Sequence, residues 1–113
     1  MLKIAENQKI SCAALLPSGP GRVISQSLWD GESARIAVYA LGAGETIGSE
    51  RHFAVHLIVP LTGSVQVAGE TGEASLRPGD LWAVPDGTAY QIGSEAGATV
   101  LVAALKEEKE DAH

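Results

Sequence analysis

One short run concentrates the side chains of this sequence that can do chemistry. "GSERHFAVH", residues 48–56, holds Glu50, Arg51, His52 and His56, and so two of the three histidines in 113 residues. Imidazole nitrogens and a carboxylate are donors for divalent first-row cations, and they also serve as general acids and bases. Side chains alternate along an extended strand, so the even-numbered Glu50, His52 and His56 share one face. Arg51 points the other way, toward the surface or an interface; its functional alternative is an anion clamp at a cavity mouth. A straight strand would hold residues 52 and 56 ~13 Å apart at ~3.3 Å per residue, whereas donors sit ~2 Å from a metal. The chain must therefore bend between His52 and His56 if both are to reach one centre. "FAV" is a weak turn sequence, so spacing alone leaves the bend open.

The elements that must position this run read as strands. "RVISQSLW" and "ARIAVYAL" are joined by "DGES", a hairpin signal. "AVHLIVPL" and "SVQVAG" follow with "TG" between them, and the turn dipeptides Pro78-Gly79 and Asp86-Gly87 bracket "LWAV". "ATVLVAAL" makes a last apolar strand. Pro60 lacks a ladder donor, which predicts an edge strand or a bulge. Many short strands at close turn spacing predict an all-β sandwich or barrel. Phe53 and Trp82 read first as core aromatics, and parity does not decide which of them faces a cavity. Residues 1–8 read as an N-terminal arm or an exchanged edge strand, and 106–113, "KEEKEDAH", as a solvated charged tail or frayed helical turn.

Composition narrows the function classes. At 113 residues the chain has room for one core. Fourteen acidic against eight basic residues give a net charge of −6, which disfavours a nucleic-acid partner because phosphate binding needs a basic face. The basic residues form no stripe for a membrane surface, no apolar stretch approaches the ~18 residues of a span, and no signal peptide is visible. The expected address is the cytoplasm. Cys12 is the only cysteine, so no intramolecular disulfide can form and cysteine-rich zinc sites are excluded, and in "SCAALL" it reads as a small buried hydrophobe.

The glycine spacing adds a resemblance. Gly44, five residues, Glu50, one residue, His52, three residues, His56, six residues and Gly63 resembles the first motif of the cupin superfamily. Gly79, five residues, Pro85, one, Gly87, two and Tyr90, within "GDLWAVPDGTAY", resembles the second, with Ser94 where the family often has asparagine. The two motifs span about residues 44–94. The resemblance implies a single-domain cupin jelly-roll β-barrel over 1–113. Carried over, the family's first histidine falls on Glu50, its second on His52, its glutamate on His56 and its last histidine on Tyr90. The implied ligand set is thus Glu50, His52, His56 and Tyr90, a permuted two-histidine, one-carboxylate group. It suits Fe(II), Mn(II), Co(II), Ni(II) or Zn(II), with Tyr90 as fourth ligand, acid/base or substrate donor. Asp80 resembles the family's turn-stabilising aspartate.

Two functions of different class follow. One is a small metal-dependent cupin enzyme acting on an oxygen-bearing small molecule, of dioxygenase, isomerase or decarboxylase type. The other is a non-catalytic cupin that binds or senses a small molecule in the barrel, without metal; the same polar residues would then line the cavity and satisfy one another. By analogy the chain pairs as a homodimer.

Overall fold

Turn dipeptides cut the chain where its apolar runs end, and nine short strands result among the described residues: β1 (Val23–Asp30), β2 (Ala34–Leu41), β3 (Thr46–Ser49), β4 (Val55–Thr62), β5 (Val65–Gly69), β6 (Gly72–Leu76), β7 (Trp82–Val84), β8 (Tyr90–Gly93) and β9 (Ala98–Leu105). The computed structural model describes residues 1–17, 19–51 and 53–107. A 3-10 turn at Cys12–Ala14 precedes the strands, and Cys12 is half-buried there rather than fully enclosed. No helix among the described residues is long and apolar enough to cross a membrane. Most of the charged tail lies outside the described residues.

The strands form two antiparallel sheets, β1-β2-β9-β4-β7 and β3-β8-β5-β6. The "DGES" hairpin forms as expected, with Asp30 opposite Arg35. The link after β4 behaves differently. Only Gly63 and Ser64 separate β4 from β5, a length that ordinarily closes a hairpin. Yet β4 pairs with β9 and β7, while β5 pairs with β6 and β8. The chain turns a corner there from one sheet to the other. Gly63 makes this turn at φ 71°, with the Gly97 carbonyl only 2.3 Å from where a Cβ would stand.

Alternation sorts each strand into an inner and an outer face. Leu41, Ile58, Val65, Val67, Ile92 and Val100 are at most 1% exposed and fill the space between the sheets. Pro60 shows the bulge its missing N–H predicts. The β4–β9 register shifts between Pro60 and Thr62, and β7 pairs with β4 only from His56 to Ile58. In the N-terminal arm, Leu2 bridges Trp29 and the Lys3 N–H donates to the Leu28 carbonyl.

Candidate functional site

Strand register lays one continuous row of residues across the five-stranded sheet. Asp30 pairs with Arg35, Arg35 with Ala104, Ala104 with His56, and His56 with Val84. Directly opposed residues in antiparallel strands share a face, so Asp30, Arg35, Ala104 and His56 lie on one face, with Asp30 and Arg35 at its exposed rim. The next row inward carries Ala37, Val102 and Ile58, and the one after it Tyr39, Val100 and Pro60. Polar groups thus sit at one end of the barrel and apolar ones beneath them.

The four-stranded sheet supplies the facing group. Tyr90 opens β8, and its phenol oxygen lies 2.5 Å from His56 Nδ1. The rings meet edge to face, 5.3 Å between centroids and 77° between planes. Which partner donates depends on the imidazole tautomer. A chamber of about 340 Å³ opens beside the pair, walled by Ala37, Tyr39, Ile47 and Val102, with Arg35 at its rim. An outer vestibule of about 580 Å³ shares Arg35, His56 and Ala104 with it and adds Phe53, Glu32 and Lys106. Phe53, 84% exposed, stands in that vestibule, while Trp82 packs against the core.

The four expected ligand positions fare differently. His56 and Tyr90 come together across the barrel although 34 residues separate them. Glu50 follows β3 as an exposed residue. His52 lies outside the described residues. Bends fall at Phe53 and Ala54, just before β4 begins. Among the described residues no three of His, Cys, Asp and Glu cluster as a metal would require. Two donors on one ion stand roughly 2.9–3.3 Å apart when each bond is about 2.0–2.1 Å. At 2.5 Å, the His56–Tyr90 contact in this arrangement is a hydrogen bond. One arrangement that would fit a metal has His56 ligating through Nε2 while Tyr90 orients the ring through Nδ1.

Arg51 is a surface group in the loop after β3, where strand parity does not apply and Glu50 is exposed as well, and it has a specific task. Its guanidinium pairs with Glu70 Oε1 at 2.5 Å, and Glu70 Oε2 accepts the Ala89 N–H at 2.9 Å. One carboxylate in the β5–β6 turn thereby ties the loop after β3 to the residue preceding Tyr90. The Ala89 N–H and the Arg51 guanidinium hold the Glu70 carboxyl below its ordinary value of 4.5. A lowered folded pKa means stabilisation that is complete above 4.5 and fades as pH falls through the folded value. Glu70→Gln is therefore expected to melt below wild type at pH 7, with the gap closing in acid. Melting curves at pH 7 and pH 3 check this, and a gap independent of pH would remove charge from the account. The Asp80 carboxylate accepts the Arg77 N–H at 2.9 Å and closes its turn, the structural role expected of it. Ser94 is buried and donates to the Ser64 carbonyl.

Two residues of the site carry no motif signal: Glu70 and Arg35. Arg35 is the single charged residue of "ARIAVYAL" and shares parity with Tyr39, which is the pattern that could have placed it on the inner face.

Two facing antiparallel sheets enclosing a polar-rimmed chamber define a small jelly-roll barrel. Its fold is that of the cupins. A cupin superfamily protein from Desulfitobacterium hafniense superposes with TM-score 0.86 at 21% identity, covering 95% of this chain and 99% of that one. A cupin 2 conserved barrel domain protein from Leptotrichia buccalis gives 0.88 at 17%, covering 100% of this chain and 59% of the other. A Ralstonia eutropha protein with a provisional mannose-6-phosphate isomerase assignment gives 0.75 at 17%, covering 88% and 99%. No protein-family model and no curated protein matches the sequence.

Proposed function

We propose that this chain is a small cupin that binds an oxygen-bearing small molecule in the inner chamber, with the His56–Tyr90 pair as its polar centre. The observation that carries this reading is a 2.5 Å imidazole–phenol contact on the wall of a chamber of about 340 Å³. Concave, mostly apolar cavities with a few convergent polar groups are where small ligands bind. A hydrogen-bonded imidazole–phenol pair can also pass a proton to or from a ligand oxygen, so the same site suits acid–base chemistry such as isomerisation. The provisional isomerase assignment of the Ralstonia relative is compatible with that chemistry. The reading keeps one domain over residues 1–113, a homodimer, which light scattering tests, and a cytoplasmic address.

Thermal-shift titration with a panel of polyols, sugar phosphates, hydroxy acids and diketones tests the reading. A bound panel member at a hundred times its Kd should stabilise wild type by ~2.7 kcal/mol, and His56→Ala and Tyr90→Phe should weaken that binding. A panel that shifts neither wild type nor variants would sink it.

A metal-dependent form of this reading has one observation in its favour, the meeting of a first-motif position, His56, with a second-motif position, Tyr90. Glu50, His52 and His56 would then hold the ion, with Tyr90 as fourth ligand or as the group that orients His56. A bound divalent ion would supply Lewis acidity toward a ligand oxygen. Elemental analysis of protein grown in metal-replete medium should find close to one equivalent in wild type and a loss in His56→Ala. Wild-type metal content below about a tenth of an equivalent excludes this form.

A further inference from the structure

We infer that the chamber's ligand is a small monocarboxylic acid with an oxygen on the carbon beside its carboxylate and a short apolar tail, and that Arg35 is the carboxylate's partner. This rests on the chamber being the binding site. Arg35 and His56 lie two strands apart in the same row, about 9.6 Å at ~4.8 Å per strand spacing. The position between them is Ala104, whose methyl group leaves a seat that a longer side chain would fill. A planar carboxylate over Ala104 meets a guanidinium on one side. Its neighbouring oxygen meets the His56–Tyr90 pair on the other.

Charge supports the same choice. The chain carries net charge −6, yet among the described residues that line the inner chamber Arg35 is the one formal charge, with Asp30 paired to it at the rim. Asp30, opposite Arg35 on the same face, engages Arg35 Nε at 3.1 Å and orients the guanidinium at the exposed rim. A guanidinium binds carboxylates through two parallel N–H donors, and it carries N–H donors beyond the Nε that Asp30 engages. Beneath the polar rim, Ala37, Ile47 and Val102 offer apolar contact and Tyr39 a ring with a single hydroxyl, a wall that suits a short hydrocarbon tail.

Calorimetric titration of 2-hydroxy-4-methylpentanoate and its neutral amide tests the assignment. Wild type should bind the acid at least tenfold more tightly than the amide. Arg35→Gln should erase that preference, leaving the amide's affinity unchanged. Arg35→Lys should retain part of it, and Ala104→Leu should abolish binding of both. An amide as tight as the acid, a preference that survives Arg35→Gln, or tighter binding of glycerol 3-phosphate would each overturn the inference. If wild type ignores both probes but binds a neutral polyol, the acid assignment fails and the chamber reading stands. If nothing binds, both fail together.

Discussion

Gly63→Ala should cost about 3 kcal/mol of unfolding free energy, the larger part of a typical single-domain margin when combined with any second defect. Two effects add. A non-glycine residue at φ 71° carries left-handed strain of roughly 1–2 kcal/mol. The new methyl would also stand 2.3 Å from the Gly97 carbonyl oxygen and 3.1 Å from Ala98 Cα, both backbone atoms, so the chain itself must shift. Gly87→Ala is the control. Its φ of 80° imposes the same kind of strain, but nothing lies within 4 Å of its Cβ, so only ~1 kcal/mol is expected. Urea unfolding of both variants separates the contributions, provided the m-values match. Equal losses would show that the β4–β5 corner relaxes without cost.

Ile92→Ala is expected to be as damaging, at about 3–4 kcal/mol, for a different reason. Ile92 is fully buried on β8, with Ile47 of β3 opposite on one side and Val67 of β5 on the other. Truncation removes the transfer energy of three carbons and leaves a void that rigid sheet neighbours cannot close. Leu81→Ala, at a residue 58% exposed, should change stability by no more than ~0.5 kcal/mol. The comparison has a second use. Ile92 shares the inner face of β8 with Tyr90, so a loss of ligand binding in Ile92→Ala beyond its loss of stability would show that the tyrosine depends on the packing below it.

Several elements were plain in the residues. The β1–β2 hairpin followed from "DGES", and β9 from an unbroken apolar run bounded by glycine and charge. β3 was not legible. "TIGS" has one apolar residue in four, and it is a strand because β8 supplies its ladder and Ile92 a partner for Ile47. The sheet change after β4 was hidden for a related reason: two turn residues look the same whether the next strand folds back or crosses over. In the site, His56 stood out by type. Tyr90 emerged only from the glycine and proline frame around it, since a lone tyrosine in a strand is ordinarily core. Arg35 and Glu70 act through contacts with distant segments, Asp30 excepted, and no local pattern announces such contacts. The proposed ligand role of Glu50 and His52 still rests on spacing.

The His56–Tyr90 bond joins the two sheets at the open end of the barrel, whereas Leu41, Val65 and Val100 hold them together deeper in the core. Such an arrangement hinges like a purse, stitched at its base and fastened by a clasp at its lips. Any breathing of one sheet against the other stretches the clasp before it disturbs the stitching. A guest that inserts its own oxygen between imidazole and phenol would undo the fastening and replace it in the same act, so admission and recognition become one event.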